Sequence, residues 1–227
     1  MTLVKICGIS EVADARAAAA LGADFVGVVF APSRRQVTIG EAKRISRGLG
    51  RARACLSSGA TAEQIEQSLK AARPLLVGVF ADQDADTIND VAVECGLDLV
   101  QLSGSEPWEM CSLIQRPVLK CLKVRPSDAA AGIMALAGEG AVILLDPHVS
   151  GIYGGTGTTL DWGVAAEVAR FRRTVLAGGL TAENVAGAVE IVRPWAVDVS
   201  SGVETDGAKD VAKIRQFIQA AKATTGV

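Results

Sequence analysis

Short aliphatic and β-branched runs alternate along the chain with longer alanine-rich segments whose polar residues recur at helical spacing. The runs predict strands at 3–7, 24–30, 75–80, 98–102, 118–124, 141–146, 174–177 and 196–199. Helices are predicted near 10–21, 40–50, 84–95, 106–114, 127–138, 160–172, 181–192 and 208–222. Eight strands, each followed by a helix, is the arithmetic of a closed (β/α)8 TIM barrel, an α/β fold, here one domain over 1–227. An open doubly wound sheet fits less well, because the units are evenly spaced and no GxGxxG turn occurs. Ser10 ahead of Glu11, and Thr181-Ala182-Glu183-Asn184, read as helix starts. Gly22 and Gly96 fall just past helices, where a left-handed residue is wanted. The irregular stretch is 51–74, read as a loop plus an extra helix near 62–72 and longer than a minimal barrel needs.

Hydrophobic residues are 49% of the 227 and charged residues 21%, enough for a substantial core and against disorder. The net charge is −2 and no block of like charge stands out, which points away from nucleic acid and anionic membranes. An anionic substrate must then be met by local donors. No leader-like segment and no run of membrane-spanning length is present, and the alanine-rich stretch 13–21 is interrupted by Asp14 and Arg16. The five cysteines are irregularly spaced with no CxxC pair, arguing against a disulfide framework or zinc site and for a reducing cytoplasm.

Barrel active sites are built at the carboxyl ends of the strands. There the sequence offers Cys7, then Ser33-Arg34-Arg35, Gln101 and Ser103, Lys123 and Arg125, Asp146, Gly178-Gly179, and Asp198 with Ser201-Gly202. Cys7, directly before Gly8, is either a base or nucleophile or a small apolar residue at a strand end. Asp146 closes an apolar run and is either a cap or loop anchor or a proton donor kept protonated by burial. The two glycine turns follow strands seven and eight, where barrels commonly bind phosphate through backbone N–H groups; the plain alternative is two ordinary turns. The loop 151–157, which contains Gly155, is a lid or second phosphate contact or a connector, and lacks the lysine of a P-loop. His148, the single histidine, lies beyond its strand and reads as a solvated loop residue.

Taken in order, Lys5-Ile6-Cys7-Gly8-Ile9, Gln101-Leu102, Leu144-Leu145-Asp146, Gly154-Gly155-Thr156-Gly157 with Leu160-Asp161-Trp162, Leu176-Ala177-Gly178-Gly179-Leu180 with Asn184-Val185, and Val197-Asp198-Val199-Ser200-Ser201-Gly202-Val203-Glu204 resemble the phosphoribosylanthranilate isomerases of tryptophan biosynthesis. The resemblance spans essentially the whole chain. It implies a cofactor-free, metal-free (β/α)8 barrel that performs an Amadori rearrangement on a phosphoribosyl substrate. It implies Cys7 as general base at ribose C2, Asp146 as general acid on the ring oxygen, and Arg35 on the anthranilate carboxylate. Asp198 becomes an active-site carboxylate near the ribose, and Gly155, Gly178, Gly179, Ser201 and Gly202 become substrate-binding positions, the last four for the phosphate. A thiolate is a competent base near neutral pH if local charge lowers its pKa.

Three features depart from the family pattern. Ser103 stands where a histidine is usual after Gln-Leu, Thr158 stands where a lysine is usual after Gly-Gly-Thr-Gly, and 51–74 is long. The alternatives are an aminophosphoribosyl isomerase of histidine biosynthesis, which generally carries aspartate where Cys7 stands, and a phosphosugar-binding barrel without activity. The expected partner is a small-molecule substrate, with neither nucleic acid nor membrane, and the expected state a monomer or homodimer in the cytoplasm.

Overall fold

The computed structural model describes residues 1–139, 141–148 and 160–223. Eight parallel strands close into a barrel in sequence order, β1 pairing with both β2 and β8. They are β1 (Leu3–Ile6), β2 (Phe25–Val29), β3 (Leu75–Phe80), β4 (Leu99–Leu102), β5 (Val118–Val124), β6 (Ala141–Pro147), β7 (Thr174–Leu176) and β8 (Ala196–Val199). The helices are α1 (Val12–Ala20), α2 (Ile39–Gly48), α3 (Ala62–Ser68), α4 (Ala85–Cys95), α5 (Ala130–Leu136), α6 (Trp162–Ala169), α7 (Val185–Val192) and α8 (Val211–Ala223).

Alternation along each strand separates two cores. Val4, Ile6, Val26, Val28, Leu145 and Val197 point outward and are covered by the helices. Leu3, Phe25, Leu75, Leu99, Leu119, Leu144 and Val175 fill the lumen. The long segment between β2 and β3 has a defined place in this second core. Ala62 and Ile65 of α3 and Leu69 just after it, with Ala54 and Leu56 ahead of it, pack with the lower lumen residues and Trp195. The extra length therefore stoppers the amino-terminal end of the barrel and leaves the opposite end open.

Cap chemistry fixes several helix starts. Thr38 and Glu41 form a reciprocal capping box on α2, and Thr61 and Gln64 another on α3. Asp84 accepts from the Thr87 N–H at 2.8 Å, and Asp161 from the Gly163 N–H at 2.8 Å. Gly22 (φ 93°) and Gly96 (φ 68°) take the left-handed conformation expected past helix ends.

Four expectations need correction. Ser10 caps nothing: the cap position of α1 falls on Glu11, whose side chain makes no capping bond. The helix expected from 181 begins at Val185, because the Asn184 side chain accepts from the Thr181 N–H at 2.8 Å and donates to the Gly179 carbonyl at 2.9 Å, holding 181–184 as a turn. The segment 106–114 forms a short 3-10 helix, Trp108–Leu113, instead of an α-helix. The last helix starts at Val211, not 208, because Ala208–Lys209 (β10) pairs antiparallel with Glu204–Thr205 (β9). Asp206 (φ 51°) and Gly207 (φ 84°) make the tight turn between them, both residues having the positive φ that a two-residue hairpin loop favours.

Candidate active site

The open end of the barrel holds one cleft, and eight of the nine residues expected at the site line it: Cys7, Arg35, Asp146, Gly178, Gly179, Asp198, Ser201 and Gly202. The ninth, Gly155, lies outside the described residues, as do Thr158 and the whole 151–157 loop. Gln101, Ser103, Lys123 and Ser200 are among the other polar residues of the lining, and Val29, Ala31, Val79, Leu144 and Ala177 among its apolar ones. Of the two cations considered at the end of β5, Lys123 faces the cleft; Arg125 is exposed and does not line it. His148 is exposed, its backbone N–H donating to the Val124 carbonyl, in keeping with a solvated loop residue.

Two ion pairs sit at the floor of the cleft, each made by residues paired in register on adjacent strands. Lys5 on β1 is opposite Asp198 on β8 and donates to its Oδ1 at 2.9 Å. Lys123 on β5 is opposite Asp146 on β6 and donates to its Oδ2 at 2.6 Å. Lys5 is two residues before Cys7 and so points to the same face of β1. Gly27 on β2 leaves the room they occupy: a Cβ there would come within 2.8 Å of Cys7 Sγ and 3.3 Å of Lys5 Cε.

The electrostatics of Cys7 run opposite to what a lowered thiol pKa requires. Burial pushes the thiol up; the Lys5 ammonium opposes it, Asp198 adds to it, and the net direction is upward. Local cationic help is thus present and is outweighed by desolvation. Burial would lower Lys5, but the charges of Asp198 and Cys7 outweigh it and raise the ammonium. Asp198 is raised by burial, against the pull of Lys5.

The phosphate-type turns meet each other. Gly178 (φ 88°) and Gly179 (φ 59°) follow β7 in the left-handed region. A Cβ on Gly178 would overlap the ring of Pro147 at the end of β6, and one on Gly202 would overlap the Leu180 carbonyl, so the loops after β7 and β8 approach backbone to backbone. A 3-10 turn, Ser201–Val203, begins at the second of them. Ser103, at the usual histidine position, accepts from Gln101 Nε2 at 2.9 Å.

Arg35, not Arg34, reaches the cleft: their side chains are 13% and 56% exposed. Both donate to Glu204, which the sequence reading passed over as a site residue, together with Lys5 and Lys209. Lys5 was legible from the period of two in β1. Glu204 and Lys209 were legible from Asp206-Gly207, a strong hairpin signal that sets them side by side.

Comparison with known proteins shows which family the chain belongs to. The family model described as N-(5'-phosphoribosyl)anthranilate (PRA) isomerase matches residues 43–220. A protein of Dehalococcoides mccartyi named N-(5'-phosphoribosyl)anthranilate isomerase is 42% identical over 234 residues, covering 100% of this chain and 98% of its own. The chain belongs to the N-(5'-phosphoribosyl)anthranilate isomerase family. As a member of that family it is an isomerase of tryptophan biosynthesis. A Roseiflexus castenholzii phosphoribosylanthranilate isomerase is 44% identical, covering 97% of this chain and 98% of its own. The crystal structure of the Thermotoga maritima phosphoribosylanthranilate isomerase is 37% identical with a TM-score of 0.79, over 98% of this chain and all of the other. A phosphoribosylanthranilate isomerase in complex with reduced 1-(o-carboxyphenylamino)-1-deoxyribulose 5-phosphate superposes with a TM-score of 0.76 at 36% identity, covering 98% of this chain and 100% of the other.

Proposed function

We propose that this isomerase converts N-(5'-phosphoribosyl)anthranilate to 1-(2-carboxyphenylamino)-1-deoxyribulose 5-phosphate, with Cys7 as general base and Asp146 as general acid. The observation that carries the assignment is that Cys7 and Asp146 line one cleft, Cys7 beside the buried Lys5 and Asp146 beside the half-buried Lys123. Asp146 delivers a proton to the furanose ring oxygen as the C1–O bond breaks, leaving an iminium at C1. Cys7 takes the proton from C2, the electrons moving into the C1–C2 bond to give the enolamine, which tautomerises to the ketone. Acid and base thus act at two points of one substrate.

The remaining residues position it. Arg35 receives the aromatic carboxylate, a match for a guanidinium with donors to spare. The backbone N–H groups around Gly178-Gly179 and Ser201-Gly202 receive the phosphate, and Gly155 supplies a further contact. Asp198, held by Lys5, faces the ribose. The Lys5 ammonium is what keeps a buried thiolate within reach: without it, desolvation acts on Cys7 unopposed from β1. No helix among the described residues is long and apolar enough to cross a membrane.

The test is to mix the purified protein with freshly made phosphoribosylanthranilate and follow loss of anthranilate-type fluorescence, with Cys7→Ala beside it. Acceleration by the wild type and none by the variant is the expected result. Equal rates for both would remove Cys7 from the mechanism.

A further inference from the structure

Glu204 does not line the cleft, yet four hydrogen bonds converge on its carboxylate. Arg35 donates twice, Nε to Oε1 at 2.6 Å and Nη2 to Oε2 at 2.9 Å, the planar two-point fork of a guanidinium on a carboxylate. Arg34 Nη2 adds a third bond at 2.6 Å. The fourth comes from Lys209, the facing residue of the β9–β10 hairpin, at 2.8 Å. Lys209 also donates to the Ser200 carbonyl at 2.9 Å, the residue that opens the loop of Ser201-Gly202. The stem of Arg35 is fixed as well. Gly8, next to Cys7, has φ 73°, and a Cβ there would overlap Arg35 Cδ and come within 2.9 Å of Ser200 Oγ.

One buried carboxylate, its side chain 5% exposed, therefore holds the head of Arg35 at one side of the cleft and, through Lys209, the β8 loop at another. We propose that Glu204 is a positioning residue that couples the carboxylate-binding and phosphate-binding ends of the cleft, fixing their separation to suit a substrate anionic at both ends. This rests on the assignment of Arg35 to the aromatic carboxylate and of the β8 loop to the phosphate. Binding at either end pulls on groups that share one carboxylate, so each end is pre-set before the substrate arrives and less ordering remains to be done on binding.

The test is steady-state kinetics with phosphoribosylanthranilate, together with competitive inhibition by inorganic phosphate, on the wild type, Glu204→Gln, Glu204→Asp and Arg35→Ala. Positioning through both ends predicts that Glu204→Gln raises KM by about tenfold with kcat within about threefold, the mark of lost binding common to ground and transition states. It also predicts that Glu204→Gln raises the phosphate inhibition constant severalfold, and that Glu204→Asp recovers part of both effects. Arg35→Ala should raise KM and leave the phosphate constant within about twofold, because Lys209 keeps its Glu204 partner. Unchanged KM and phosphate constant in Glu204→Gln, with a raised KM in Arg35→Ala, would overturn the coupling and leave the Arg35 assignment standing. An unchanged KM in Arg35→Ala would overturn that assignment and the coupling with it. If Glu204→Gln does not fold, Glu204→Asp carries the same comparison: smaller rises in both constants support the coupling, and wild-type values overturn it.

Discussion

Buried aspartates serve both ends of this barrel, and the two ends treat them differently. At the stoppered amino end, Asp24 and Asp98 stand just before β2 and β4, in the matching stretches Leu21-Gly22-Ala23-Asp24 and Cys95-Gly96-Leu97-Asp98. Each reaches to the neighbouring strand and accepts a backbone N–H, Val4 to Asp24 at 2.8 Å and Leu76 to Asp98 at 2.7 Å. Each is then surrounded by further donors: Arg73 and Lys222 pair with Asp24, and Arg51 and the Ala54 N–H bind Asp98. At the open end, Asp146 and Asp198 have no such backbone partner among the described residues; a single lysine on the adjacent strand binds each. A carboxylate whose lone pairs are filled by backbone and cations is a staple. One that keeps acceptor capacity beside a cleft is available to a ligand.

The largest effects should come from testing this contrast directly. Asp146→Asn and Cys7→Ala should each lower kcat by about 10²–10⁴-fold, the usual contribution of a positioned acid or base, with only a small change in melting temperature. Asp98→Ala should do the reverse. It leaves the Arg51 guanidinium buried without its counter-charge and two backbone N–H groups without acceptors. Removing one member of a buried pair costs about 3–5 kcal/mol, which denaturant unfolding will read, while kcat of the protein that remains folded stays at the wild-type value. A catalytic loss in Asp98→Ala, or a stability loss of similar size in Asp146→Asn, would erase the distinction between the ends.

A narrower test concerns Lys5. Its ammonium is the cation on β1 that opposes desolvation of the Cys7 thiol, with Lys209 helping from the hairpin and Asp198 acting against. Lys5→Met removes a charge that favours the thiolate, so the thiol must titrate higher still, and the rising limb of the kcat/KM–pH profile moves to higher pH by about 1–3 units. Alkylation of Cys7 by iodoacetamide, followed by peptide mass spectrometry across pH, gives the same shift independently of turnover. The double variant Lys5→Met/Asp198→Asn removes both charges of the pair and guards against misfolding caused by a lone buried carboxylate. An unmoved profile in both variants would show that Lys5 only fills the lumen.

Much of this was legible in the chain because barrel strands are buried on both faces and stand out as continuous apolar runs. All eight strands fall within about a residue of their expected bounds for that reason. The residues at their carboxyl ends followed from topology alone, which is why Cys7, Asp146, Asp198 and the two glycine turns were found together. Helix starts were harder. A hydroxyl or acid near a helix start is a cap only when its side chain reaches an N–H; the cap position of α1 falls one residue past Ser10, and Thr181 lost the role to the turn that Asn184 holds. Trp108–Leu113 carries enough apolar residues for a helix but is only six residues long and tightens into a 3-10 helix. The place of Lys5 and the pairing of Glu204 with Lys209 were open to local pattern, but their meeting with the cleft residues was not: nothing in the order of residues says that Glu204 meets Arg35, 169 positions away.

Glu204 also decides whether the contrast between the ends is one of place or of bonding, through the smallest of the expected effects. It lies at the open end but is saturated like the carboxylates at the stoppered end. Burial pushes its carboxyl up, and the bonds from Arg35 and Lys209 outweigh this, holding its pKa down at about 2 against an ordinary 4.5. A carboxyl depressed in the folded state contributes stability that is fully present above its unfolded pKa and is lost as pH falls through its folded pKa. Its contribution should therefore be complete above about pH 4.5 and vanish toward pH 2. Unfolding of wild type and Glu204→Gln, compared from pH 6 down to about 2, should show a gap in favour of the wild type that narrows through this window. If bonding is what counts, the gap is present at pH 6 and closes on acidification. A gap that stays constant across the window would mean that Glu204 contributes through packing and not through its charge, and that saturation by donors does not by itself make a staple.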